Sequence, residues 1–397
     1  MGRKVAVVVA AAVATAAFLS VATIRHGFFD LNVYFGAINY WVHDGGQIYD
    51  WVRLNSRYGY TYPPFAALAM LPMAYVPWVA AIVISVTAAV VTSALLVWWL
   101  VDPIARREGW TRWYAFALAA CLVAAFEPMR ETVSFGQVNT LLLFLVAVDM
   151  LWLVGRGSRW AGVGIGLATA VKLTPGIFIV YLLVTRRWRA ALVACGAATG
   201  ATLVAGALAP DASREFWTQA LWNTDRVGSL SFVSNQSLQG VVARLDPLHP
   251  SRPLWLVLVV ATLVAWAWRV RRDPDVRTGL ALTGVLGCLV SPVTWVHHLV
   301  WLLPALILLV DRALVVRNRR LLGFAVFAYG LLISRFVWIW ERGSGGVIGF
   351  LGSNAYVWVS LALLFVLPDS SRSRRPSSRL RVGEVGGGLK DALILKG

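Results

Sequence analysis

Apolar runs long enough to cross a bilayer recur along this chain, and no other feature narrows its possible folds so far. A helix of about 18–20 apolar residues spans roughly 30 Å of hydrocarbon. The runs are continuous, which excludes a membrane barrel, whose strands alternate apolar and polar positions. Composition agrees, since 59% of the 397 residues are hydrophobic and 14% charged, against about a quarter charged in soluble domains. The chain is expected to be an all-α polytopic membrane protein. Twelve spans are read near 5–24, 76–101, 113–127, 137–154, 160–171, 174–185, 190–209, 254–268, 278–292, 297–311, 321–340 and 354–368.

Basic residues sort between these runs. With Arg3 and Lys4 inside, Arg106, Arg107, Arg112, Arg156, Arg159, Arg186, Arg187, Arg189, Arg269, Arg271, Arg272, Arg277, Arg312, Arg317, Arg319 and Arg320 fall on the same side. That is the cytoplasmic bias of a multi-pass plasma-membrane protein, and it puts both termini in the cytoplasm. The net charge of +17 is explained by these loops and calls for no nucleic-acid partner. The run 5–24 lacks a small-residue cleavage site before Arg25 and is read as a retained span. Residues 1–368 form one transmembrane domain with extracytoplasmic loops at about 25–75 and 210–253. The Ser/Arg/Gly-rich tail 369–397 is expected to be disordered and cytoplasmic. Cys121, Cys195 and Cys288 lie inside apolar runs without metal-ligand spacing, so neither a metal, a cofactor nor a disulfide framework is expected. In AVKLTPG, Lys172 and Pro175 interrupt an apolar run, suggesting two short helices that meet at the outer side.

Polar residues that a membrane bundle does not need collect opposite the basic loops. HGFFDLNVY, residues 26–34, sets Asp30 among Phe28, Phe29, Leu31 and Val33, with Asn32 and Tyr34 following. Desolvation there would raise the carboxylate's pKa and make it a better base. The plainer role is the N-cap of a short interfacial helix at 30–42. YTYPPF brings Tyr62, SFGQVNT brings Gln137 and Asn139, and VSNQSLQG brings Asn235 and Gln236 ahead of Arg244. Glu127 and Arg130 read equally as a site or as a structural ion pair, and most of the 20 Trp as interfacial anchors. In SPVTWVHHLVW, His297 and His298 open a helix, where neighbours diverge by about 100°, so one of the two is expected to face a given cavity.

A carboxylate, cations, amides and aromatic platforms on one membrane face suit a sugar, a phosphate and a lipid. Together they describe sugar transfer from a polyprenyl phosphate at the outer leaflet. Asp30 would take the acceptor's proton, and a cation or histidine would steady the departing phosphate. Lys172 and Arg130 are the candidates for that phosphate. Asn32, Tyr34, Tyr62, Gln137, Asn139, Asn235, Gln236 and Arg244 are candidates for donor or acceptor. The competing class is a lipid or sugar transporter with Asp30 as its coupling carboxylate. That reading wants ionisable groups at mid-membrane depth and internal repeats, and the sequence displays neither.

FFDLNVYFGA, QIYD, YTYPPFAAL, SFGQVNTLLL, AVKLTPG, SNQSLQG and SPVTWVHHLVW, in that order over about residues 20–310, resemble glycosyltransferase family 87. The resemblance implies a GT-C bundle of about twelve helices whose outer loops carry short interfacial helices. It implies a polyprenyl-phosphate mannose donor, inversion to an α-mannoside without a metal, Asp30 as base and the histidine pair in the active site. Both histidines are carried, with His298 preferred. The likeness is to α-(1→2)-mannosyltransferases that act on phosphatidylinositol mannosides, lipomannan and lipoarabinomannan, and a mannan-branching acceptor is favoured. Transfer of arabinofuranose or glucose stays open.

Overall fold

The computed structural model describes residues 2–223, 228–343, 345–368 and 370. The expectation of a disordered tail therefore falls, apart from Ser370, outside the described residues. Among those described, every regular element is a helix, and the one strand-like pairing is an isolated antiparallel bridge between Val52 and Gly59.

Five helices are long and apolar enough to cross a membrane: Gly2–Ala22, Trp78–Arg107, Trp188–Leu208, Arg252–Arg272 and Val296–Val315. Two bent pairs raise the number to seven. Glu127–Phe135 and Asn139–Val154 meet at 116°, and Gly346–Ser353 and Ala355–Val366 at 59°. Twelve spans are expected from the sequence, the pair at 160–171 and 174–185 as short helices of a broken element, and the described helices give five to seven by length and composition. The difference arises where the apolar runs are broken. The run at 160–171 yields only Val163–Val171. That helix starts after Gly162, whose φ of +108° and contact with the Ala190 carbonyl exclude a side chain. It stops at Lys172, ahead of Pro175.

The helix Val276–Val290 runs through the centre of the bundle, with Gly279 to Leu286 almost wholly enclosed. Around it pack Trp266, Phe126, Phe178 and Tyr356. The helix Gly2–Ala22 lies at the other extreme and buries no residue, as an element bathed in lipid can. Residues 25–75 do not hang as a loop. Their helices Phe29–His43 and Pro64–Met70 enclose a second core of Leu31, Tyr34, Ile38, Tyr49, Tyr60 and Tyr62, closed by Phe216 from the other long loop.

The two ends of the bundle differ in chemistry. At one, the arginine-bearing segments meet. Lys4 Nζ donates to Thr111 Oγ1 at 2.5 Å, Arg107 pairs with Asp311 at 2.5 Å, and Arg312 pairs with Asp275 at 2.6 Å. At the other, Glu131 joins His26 at 2.7 Å and Arg335 at 2.7 Å. Asp30 belongs to that second end.

Candidate active site

Two residues in the left-handed region, Gly27 (φ 61°) and Phe28 (φ 54°), turn the chain out of the first long helix. A non-glycine residue there costs about 1–2 kcal/mol. The strained Phe28 is held by its amide, which donates to the Ser134 carbonyl at 3.0 Å. Phe28 is the cap residue of the helix Phe29–His43 and makes no side-chain cap bond, so Asp30 sits inside the first turn instead of capping it. The helix dipole favours an anion at that position. Asp30 Oδ2 accepts from Gln137 Nε2 at 2.6 Å, Gln137 Oε1 accepts from Tyr62 at 3.1 Å, and Tyr34 donates to the Tyr62 hydroxyl at 2.9 Å. Among the described residues no protein donor reaches Oδ1. Burial pushes the Asp30 pKa up to about 6, against the opposing pull of the Gln137 hydrogen bond and the Lys172 charge.

Asp30 opens onto a cavity of about 560 Å³. Tyr34, Tyr62, Gln137, Lys172, His297 and His298 line it too, so these sequence candidates converge. Lys172 lies at the break between two short helices. Its Nζ sits 5.2 Å from the centre of the Tyr62 ring, 3.1 Å from Asn139 Oδ1 and 3.1 Å from His298 Nε2. Asn139 lines a smaller adjoining pocket with Lys172 and His298.

The histidines occupy a 3₁₀ turn, Val296–Leu302, which leads into the helix Leu303–Val315. Their rings stand perpendicular with centroids 4.5 Å apart, and both reach the cavity. The expectation that only one could face it is corrected: the cavity is wide enough to be lined by both rings, which stand at right angles to one another. His298 Nδ1 accepts from the Trp295 amide at 3.2 Å, and its Nε2 hydrogen-bonds Lys172 Nζ, the ring's tautomer setting which of the two donates. The Lys172 ammonium has further N–H groups for an anionic oxygen in the cavity that both residues line.

Other candidates stand elsewhere. Asn32 accepts from Arg53 Nε at 3.1 Å, and Arg53 lies 4.2 Å over the Phe29 ring, so the pair braces the turn that carries Asp30. Arg130 donates to the carbonyls of Ala22 at 2.8 Å and Ile333 at 2.9 Å and faces a different cavity. Glu127 does not pair with it. Glu127 accepts from Trp338 at 2.6 Å and Tyr356 at 2.5 Å, with Arg335 at 3.7 Å. Asn235, Gln236 and Arg244 lie behind the cavity wall. Asn235 Oδ1 takes the Thr294 amide at 2.9 Å, Gln236 donates to the Val233 and Ser353 carbonyls, and Arg244 holds Asn354 and the Phe232 and Asn235 carbonyls. Asn235 thereby ties down the segment that leads to His297 and His298, and Gln236 and Arg244 hold the neighbouring backbone.

Sequence reasoning passed over His26, Trp295 and Trp338, which line the cavity. His26 reads as part of a basic pair after a span, and the tryptophans as interfacial anchors. Only the stacking of His26 on Phe135, centroids 3.9 Å apart, and its close contact with Glu131 distinguish it from a loop residue. Among the described residues no group of three or more His, Cys, Asp or Glu could hold a metal ion.

The profile of glycosyltransferase family 87 matches residues 60–292. The chain is 32% identical over 387 residues to a polyprenol-phosphate-mannose-dependent alpha-(1-2)-phosphatidylinositol mannoside mannosyltransferase of Mycolicibacterium smegmatis, covering 87% of this chain and 84% of the relative. It is also 32% identical over 364 residues to the corresponding phosphatidylinositol pentamannoside mannosyltransferase of the same organism, covering 85% and 84%. An alpha-(1->3)-arabinofuranosyltransferase of Corynebacterium glutamicum is 27% identical over 249 residues, covering 57% and 54%. No solved structure matches. With more than half its length matched by the family profile and relatives of this identity across most of the rest, the chain belongs to glycosyltransferase family 87.

Proposed function

We propose that this glycosyltransferase moves mannose from polyprenyl-phosphate mannose to a hydroxyl of a phosphatidylinositol mannoside, forming an α-(1→2) bond with inversion. The observation that carries the reading is one cavity holding Asp30, with an oxygen unclaimed by the protein, and the hydrogen-bonded Lys172–His298 pair. Asp30 takes the acceptor hydroxyl's proton as that oxygen bonds to the anomeric carbon. The bond from that carbon to the phosphate oxygen breaks, and polyprenyl phosphate leaves with its electron pair. Lys172, with His298 beside it, stabilises the charge that grows on the leaving phosphate. Tyr34, Tyr62, Phe29 and Trp295 offer flat faces and hydroxyls to the two sugars. Asn139 steadies Lys172. Asn32, Asn235, Gln236 and Arg244 act as positioning residues.

The named activities of the relatives support the polyprenyl-phosphate mannose donor and, of the acceptors expected from the sequence, the phosphatidylinositol mannoside. The short helices belong, in this reading, to a GT-C bundle of about twelve passes. The Asp30 end faces outward, and the arginine-rich end and both termini face the cytoplasm, as the charge bias supports.

Purified protein, synthetic polyprenyl-phosphate mannose carrying labelled mannose, and a phosphatidylinositol mannoside acceptor test the proposal. Labelled α-(1→2) product from the wild type, and almost none from a folded Asp30→Asn, are the expected results. Transfer from a polyprenyl-phosphate arabinofuranose donor in place of mannose would move the enzyme toward the arabinofuranosyltransferase relative. No transfer from any lipid-linked sugar would sink the assignment and favour a carrier.

A further inference from the structure

A second cavity, of about 710 Å³, lies among the helices Gly2–Ala22, Trp78–Arg107, Arg112–Ala125 and Glu127–Phe135. Its body is apolar, walled by Leu19, Ala89, Ala94, Val97, Ala120 and Val123. It reaches the outer surface of the bundle, since Val90 on its wall is 56% exposed. Its remaining wall is cationic and polar, with Arg25, Arg130, Thr23 and Ser134, and no acidic residue lines it. Arg130 is 6% exposed, and its Nε is buried without a hydrogen-bond partner, as is Thr23 Oγ1. Leaving buried polar atoms unpaired is costly, and such atoms mark a place where a ligand or water completes the set.

We propose that this groove seats the lipid anchor of the acceptor: an acyl chain along the apolar wall, with its phosphodiester at Arg25 and Arg130. The inference rests on the mannosyl transfer proposed above. The segments 26–29 and 134–135 divide the two cavities. His26, Phe29 and Phe135 face the Asp30 side, and Gly27, Phe28 and Ser134 face the groove. A donor's phosphate is bonded directly to the reacting carbon, so it must lie in the Asp30 cavity. A phosphate beyond that partition fits a lipid whose reacting hydroxyl is many bonds from its phosphate, which describes a glycosylated phospholipid. The long apolar wall with a cationic patch complements a phospholipid anion.

The test uses the full chain in phosphatidylcholine nanodiscs with a phosphatidylinositol probe that carries a diazirine on its acyl chain. Photolabelled peptides are expected from 89–97 and 120–133. Unlabelled phosphatidylinositol should displace the probe, while polyprenyl phosphate and diacylglycerol should not. Arg25→Gln, at an exposed position, should weaken labelling about tenfold, equivalent to ~1.4 kcal/mol. Ala94→Phe, which fills the groove, should raise KM for the lipid acceptor by a similar factor and leave transfer to a lipid-free methyl mannoside unchanged. Labelling elsewhere, displacement by polyprenyl phosphate, displacement by diacylglycerol as readily as by phosphatidylinositol, or an equal loss with both acceptors in Ala94→Phe would each overturn the groove. Groove labelling without any sugar transfer would uphold the lipid site and count against the proposed reaction alone.

Discussion

Asp30 is a base whose strength is set by what surrounds its two oxygens. Burial disfavours the charged form and lifts its pKa to about 6, while the Gln137 amide favours that form. A base must be ionised to work, so kcat/KM should be flat above pH about 6 and fall tenfold per unit below it. Gln137→Leu removes the donor that holds the charge, so the acid limb should move to higher pH; an unmoved limb would detach the titration from Asp30. Lys172→Met should cut kcat by about 10²–10³ if the ammonium meets the leaving phosphate, and Lys172→Arg should restore part of it. Unaltered turnover in Lys172→Met would remove Lys172 from the reaction. Asp30 and the histidines were legible because each is a polar residue that an apolar neighbourhood makes expensive. Asn235, Gln236 and Arg244 carry the same signature, yet they face backbone groups of the fold. Sequence reports that a buried polar group has a partner and is silent on whether the partner is substrate or backbone.

Among the elements, the long apolar helices were legible by length, and the short helix Val163–Val171 by the Lys172 and Pro175 that interrupt its run. Sharp bends without such a charge are hidden. Between Glu127–Phe135 and Asn139–Val154 the chain turns 116° at Gly136, which has φ +70°. A Cβ on Gly136 would come within 2.5 Å of the Leu31 Cβ, next to Asp30 on its helix. Leu31 is itself enclosed, so the helix would have to shift, carrying Asp30 away from Gln137. Misplacing a reacting group by about 1 Å can cost ~10²-fold. Gly136→Ala is therefore expected to lose about two orders of magnitude in kcat while still inserting in the membrane, and wild-type turnover in a labelled-mannose assay would refute that coupling.

At the scale of the whole molecule, the two ends of the bundle are tied differently. The sorting of arginines let the sequence divide the chain into two ends, although the partners that join segments at each end could not be read from it. At the Asp30 end, Arg335 lies 2.7 Å from Glu131 and 3.7 Å from Glu127, and Glu131 also meets His26 at 2.7 Å. Residues about 200 positions apart are thereby fastened around the wall that supports the cavity. Both carboxylates are almost fully enclosed. Arg335→Gln would leave them facing each other without their shared cation, and breaking a buried ion pair from one side costs about 3–5 kcal/mol. A clear fall in Tm is expected in detergent, larger than that of Glu131→Gln, which removes one of the two repelling charges. Adding Glu131→Gln to Arg335→Gln should recover part of the loss, since the remaining Glu127 keeps its Trp338 and Tyr356 donors. Additive losses in the double variant would mean that Arg335 acts through packing, and that the cluster is not the electrostatic clasp its distances describe.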